Sequence, residues 1–184
     1  EPDPVNLPGV TISRILAYWA DTERAVIHAT LRGPGVTSAN DGAVLLVNPG
    51  VETRILLREG DPVCDWDCPK IASIQRVEFN RYNRRYAIVA SLTGSNARNQ
   101  ALFAGHVVSA HPVRNLPLLR LRKGSLYQSP AGQTTRLRSI DLRPIVESTG
   151  SGANGRDQVA WTDAVLCLSF DNKVKQIATI GLLP

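Results

Sequence analysis

The stretch AYWADTERAVIHATLRG (17–33) aligns without a gap on EFNRYNRRYAIVASLTG (78–94), 61 residues downstream. Identities fall at Arg24/Arg85, Ile27/Ile88, Ala29/Ala90, Leu31/Leu92 and Gly33/Gly94. Self-similarity at such a distance means that one supersecondary unit recurs, and that its copies bury their apolar faces on one another. The neighbouring segments correspond too. DGAVLLVNPG (41–50) matches NQALFAGHVV (99–108), and ETRILLREGD (52–61) and NLPLLRLRKGS (115–125) share a Leu-Arg-x-Gly turn at Leu57–Gly60 and Leu121–Gly124. A third copy places ANGRDQVAWTDAVL (153–166) where the others have 20–33 and 81–94.

The units run over 1–53, 54–116 and 117–175, followed by a C-terminal strand at 174–184. Each offers four short strands: a leading strand (RILLRE, PLLRLR), an Arg-rich second (IASIQRVEF, TTRLRSIDL), a buried third (AVIHATL, YAIVASL, QVAWTDAV) and a fourth (GAVLLV, QALFAG, VLCLSF). Apolar runs are of strand length, and 14 Gly and 12 Pro punctuate them. The expected class is therefore all-β, with three repeated four-stranded antiparallel units in a single domain. A unit of this size is propeller-like, with a β-sandwich as the alternative; immunoglobulin-like modules need nearer ~100 residues each.

GSGANG (150–155) has the G-x-G-x-x-G spacing of a dinucleotide loop. That chemistry requires a helix opening inside the loop, with its N–H groups facing the phosphate. RDQVAWTDAVLCLSF (156–170) follows instead and reads as strand, so the glycines serve a lengthened repeat turn and no cofactor is expected.

Apolar residues make up 43% of the chain, and no run approaches the ~18 that a membrane span needs. The chain contains no methionine and begins EPDPVNLPG, which points to removal of a secretory signal and a secreted or cell-surface location. Cys64 and Cys68, in CDWDC, are placed to bridge a tight loop, while Cys167 stands alone in a strand. A lone C-x3-C lacks the second ligand pair of a structural metal site, so no metal is expected. Of the 21 basic residues 17 are arginine, a bias that follows genome composition, and the net charge of +5 does not by itself imply nucleic acid. The densest patches are FNRYNRRY (79–86) and LRLRKG (119–124). The first interleaves Tyr82 and Tyr86 with Arg81, Arg84 and Arg85, a pattern that can stack bases or grip phosphates, but it reads rather as a solvated turn between strands.

Leu-Arg-Glu-Gly-Asp-Pro (57–62), Asn-x-Arg-x-Gln-Val-Ala-Trp (154–161) and Ala-Leu-Phe (101–103) together resemble the tandem repeats of a family of uncharacterised bacterial exported proteins. Their units read REGDP, then NxRGQVAF, then ALF. The resemblance implies a propeller-like fold outside the cell and transfers no catalytic residue. It is degenerate: copy one lacks the Asn, and Asp157 stands where Gly is usual.

Three blades are fewer than the ~4–8 of a closed propeller. The chain opens on a Pro-rich arm in place of a leading strand and finishes on KQIATIGLLP, which reads as a leading strand with no blade after it. An unpaired edge invites another chain. The expected joint is therefore strand addition to a neighbouring subunit through Ile177, Ala178, Thr179 and Ile180, giving a homo-oligomer, a ring or a filament.

Catalytic patterns are absent: no G-x-S-x-G elbow, no H-E-x-x-H, and three histidines (His28, His106, His111) without an evident third ligand or partner. The reading is of a non-enzymatic, self-assembling or adhesive extracellular repeat protein. The alternative is a carbohydrate-binding module. Its ligand loop would be Asp65, Trp66 and Asp67, a tryptophan between carboxylates being a stacking platform for a sugar ring.

Overall fold

The computed structural model describes residues 7–20, 22–48, 52–63, 68–80, 84–107, 117–128, 132–143 and 163–181. They form twelve strands: β1 (Thr11–Ala20), β2 (Ala25–Arg32), β3 (Gly42–Asn48), β4 (Glu52–Arg58), β5 (Ile71–Asn80), β6 (Arg85–Leu92), β7 (Gln100–His106), β8 (Leu118–Arg122), β9 (Leu126–Gln128), β10 (Thr134–Leu142), β11 (Asp163–Phe170) and β12 (Lys175–Gly181). Three four-stranded antiparallel sheets result, ordered β1-β2-β3-β4, β5-β6-β7-β8 and β12-β11-β10-β9. The all-β class and the threefold repetition expected from the sequence both hold. Among the described residues there is no helix long and apolar enough to cross a membrane.

The first long strand of each unit carries a bulge at one shared place: between Ile12 and Arg14, between Ile71 and Ser73, and between Leu137 and Ser139. These strands pair with β2, β6 and β11, in which Leu31, Leu92 and Phe170 each close the next hairpin by donating N–H to the Asp41, Asn99 and Val174 carbonyls. That shared register makes Leu31, Leu92 and Phe170 equivalent. The serine pairs Ser73/Ser91 and Ser139/Ser169, each hydrogen-bonded hydroxyl to hydroxyl, then fall at one position of sheets 2 and 3.

The sheets stack face to face. Val26, Val44, Leu46 and Leu56 of sheet 1 share a core with Ile71, Ile74, Val77, Tyr86 and Ile88 of sheet 2. Ala87, Val89, Leu102 and Ala104, alternating onto the opposite face of sheet 2, share a second core with Leu137, Ile140, Leu142, Leu166 and Phe170 of sheet 3. Sheet 2 is thus covered on both faces. Its β6 and β7 are buried along nearly their whole length, which is why YAIVASL and ALFAG read as continuous apolar runs.

The Leu-Arg-x-Gly turns lie between sheets. Gly60 and Gly124 take φ of 85° and 84° and donate N–H to the Ile71 and Leu137 carbonyls of the next sheet at 2.8 and 2.7 Å. A Cβ at Gly124 would stand 2.7 Å from the Ala97 carbonyl oxygen, so both conformation and space require glycine there. Side chains reinforce each junction. The Ile74 N–H beside a bulge in β5 donates to Glu59 Oε1 at 3.0 Å, and its counterpart Ile140 donates to Gln100 Oε1 at 2.8 Å.

Three details of the expected organisation change. RILLRE and PLLRLR do not lead units two and three: they are β4 and β8, the last strands of the preceding sheets, because each pairs antiparallel with β3 or β7. In the third unit, residues 158–162 lie outside the described residues; the described end of the expected third strand QVAWTDAV and the whole of the expected fourth, VLCLSF, fall on a single strand, Asp163–Phe170. The β10 ladder fixes it, pairing Leu142 with Leu166 and Leu137 with Phe170. KQIATIG accordingly is not a leading strand left over; it occupies the place of β3 and β7 and pairs with β11 from Lys175 to Gly181. GSGANG lies outside the described residues.

Candidate functional surfaces

The residues on either side of CDWDC pair with each other. Pro62 bridges Lys70, Val63 N–H donates to the Pro69 carbonyl at 3.0 Å, and Ile71 N–H donates to the Asp61 backbone carbonyl at 2.9 Å. This hairpin is the counterpart of β9–β10, where Gln128, Tyr127 and Leu126 pair with Thr134, Thr135 and Arg136. Cys64, Asp65, Trp66 and Asp67 lie outside the described residues. Cys68 is half-buried at the base of the loop, and Cys167 is a free thiol. Asp61 is held above the usual carboxylate range by desolvation, against the opposing pull of Arg58.

The four residues expected at the assembly joint, Ile177 to Ile180, pair in register with Cys167, Leu166, Val165 and Ala164 of their own chain. Ala178 packs against the second core, whereas Ile177, on the other face, is 74% exposed. Of the two sides of this strand, one is taken up in the fold and the other is presented to solvent.

Other residues singled out in the sequence divide between core and surface. His28 alternates onto the face of sheet 1 that meets sheet 2; burial lowers its pKa and nearby Glu59 opposes that shift. His106 is half-buried at the end of β7, while His111 and Trp161 lie outside the described residues. Trp19 packs on the first core. The expected solvated turn of FNRYNRRY has its centre, residues 81–83, outside the described residues, while Tyr86 is fully buried and Arg85 nearly so. Tyr86 fits because it pairs across the ladder with Gly105, where any Cβ would collide with the Tyr86 ring and hydroxyl. Burial pushes the Tyr86 phenol upward, so it stays neutral.

A surface groove of about 560 Å³ opens at the junction of sheets 2 and 3, flanked by Arg98, Lys123, Arg136, Arg138 and Asp171. The Lys123 ammonium donates to Asn99 Oδ1 at 3.1 Å, and Arg136 donates to the Gly124 carbonyl at 3.2 Å. Four cations against one carboxylate make it attractive to anions. The sequence pointed to Lys123 through LRLRKG. It gave no sign that Arg98, Arg136 and Arg138 converge there, because they come from a loop and a strand of two different sheets.

No protein family, curated protein or solved structure matches this chain. The functional reading therefore rests on the geometry. Among the described residues no cluster of three or more His, Cys, Asp or Glu side chains is placed to hold a metal ion. Near Cys167, the Arg143 guanidinium donates to the thiol sulfur at 3.2 Å and pairs with Asp141 at 3.0 Å. That exposed group lies on the same face of sheet 3 as Ile177, since Asp141 and Ile177 both pair with Cys167.

Proposed function

We propose that this chain is an extracellular structural repeat protein that self-assembles at or outside the cell surface. The observation that carries the reading is the direction of the stack. At both junctions the same face of one sheet meets the same opposite face of the next, so the stack has two unlike ends. Units that join head to tail close into rings when the rotation closes and extend into filaments when it does not. The location outside the cell is supported by the resemblance of the repeats to those of bacterial exported proteins and by the close spacing of Cys64 and Cys68.

The test is the native mass of the chain across a concentration series, by light scattering after size exclusion, with negative-stain images of the same samples. Rings or filaments are expected. A monomer at every concentration removes the proposal.

The basic groove favours a second reading, a module that binds an acidic carbohydrate. Titration with sulfated or uronic oligosaccharides against neutral ones tests it. Binding abolished by Arg98→Ala and Arg138→Ala places the ligand in the groove. Binding abolished by Trp66→Ala places it at the CDWDC loop.

A further inference from the structure

The two ends of the stack are cut from the pattern that joins its middle. Through the shared bulges and ladder, Ile12, Ile71 and Leu137 are equivalent, as are Ile15, Ile74 and Ile140, and Tyr18, Val77 and Leu142. In sheets 2 and 3 all six of these side chains are 8% exposed or less, because the preceding sheet lies on them. In sheet 1 the same positions are open: Ile12 is 38% exposed, Ile15 51% and Tyr18 71%. Val10 and Val36 pack against the Ala29, Leu31, Ala43 and Leu45 part of this outer face and leave the β1 strip bare.

The opposite end shows the complement. Val44 pairs with His28, Leu102 with Val89 and Ile177 with Cys167, which makes the three apolar residues equivalent. Val44 and Leu102 are fully buried under the first strand of the following sheet, whereas Ile177 stands 74% exposed. The ion pairs agree. Arg76–Glu78 in sheet 2 and Asp141–Arg143 in sheet 3 occupy one position with their charges exchanged, and Glu78 is covered while Arg143 is 54% exposed.

We infer that the outer face of sheet 3 in one copy docks on the outer face of sheet 1 in a second copy, with Ile177 set over Ile12, Ile15 and Tyr18. This deepens the self-assembly reading above and rests on it. The occupant is a second copy because the chain twice shows what covers this strip: a sheet of its own repeat, presenting the face that sheet 3 leaves open. The joint is sheet stacking. It does not require strand exchange, since β12 stays paired with β11. It is heterologous, so each copy has one donor face and one acceptor face.

The test uses Ile15→Glu, which spoils the acceptor face, and Ile177→Glu, which spoils the donor face. Both residues are exposed, and far-ultraviolet circular dichroism with thermal melting confirms that each variant folds. The full chain is expected to form assemblies whose mass rises with concentration, and each variant alone is expected to be a monomer. Mixed in equal amounts, the two variants are expected to form a dimer and nothing larger, because one intact donor meets one intact acceptor. Assembly unaffected by either substitution overturns the sheet-stacking joint and leaves self-assembly standing through another surface. A mixture that stays monomeric overturns the head-to-tail geometry. A full chain that is monomeric at all concentrations overturns both this inference and the function it rests on.

Discussion

Glu23 and Arg84 stand in the same turn of consecutive sheets, and the Glu23 carboxylate accepts a hydrogen bond from the Arg84 guanidinium at 3.1 Å. The pair spans the first junction at its solvent edge, beside Arg24, whose guanidinium reaches the Val107 carbonyl of sheet 2 at 3.4 Å. Exposed pairs of this kind contribute at most ~1 kcal/mol and are screened by salt. Glu23→Ala is expected to lower stability by less than about 1 kcal/mol at low ionic strength, with the difference shrinking in salt. Denaturant titrations at two salt concentrations measure it.

Gly105 gives Tyr86 its space, and the equivalent pair in sheet 1, Ala25 and Val47, divides the volume the other way. Gly105→Ala is expected to destabilise by about 1–3 kcal/mol through overpacking, and Gly105→Val by more. The double variant Tyr86→Ala with Gly105→Val, which copies sheet 1, is expected to be more stable than the sum of its parts. A double-mutant cycle by denaturant unfolding reads the coupling.

His28 has a folded pKa below its unfolded value, because burial disfavours the imidazolium. Between those two values the unfolded chain binds more protons, so stability is fully present above pH ~6.5 and is lost as pH falls through the lowered folded pKa. His28→Val, which copies Val89 in sheet 2, removes this contribution. The melting temperatures of the two proteins, compared from pH 8 to pH 5, are expected to diverge in favour of the variant as the solution is acidified.

The cysteines test the compartment. In protein isolated under oxidising conditions, peptide mapping without reductant is expected to recover Cys64 and Cys68 on one linked peptide and Cys167 as a free, alkylatable thiol. Two alkylated cysteines in CDWDC would argue against an exported chain.

The repeat was legible where its two copies keep equal length. Ile27/Ile88, Ala29/Ala90 and Leu31/Leu92 align in the sequence and fall at matching places of β2 and β6. The third copy slipped because its hairpin after β11 is cut to a turn at Asp171–Val174, which removes the long connection that follows β2 and β6. The unit boundary was displaced for a related reason. A Leu-Arg-x-Gly turn looks the same whether it reverses the chain within a sheet or carries it to the next one; only the pairing of β4 with β3 decides. The end faces were not visible in the sequence at all. Ile12, Ile15 and Tyr18 are as apolar as their buried counterparts, and exposure belongs to position in the stack.

Sheet 2 contributes to both large cores, while sheets 1 and 3 each contribute to one of them. Opening an outer sheet therefore exposes one core, and opening the middle sheet exposes two. Amide protons of β6 and β7 should be the slowest in the molecule to exchange with deuterated water, with β1 and β12 releasing theirs first. Joining copies would slow exchange at those two margins, so the kinetic profile along the chain would itself count the neighbours each sheet has.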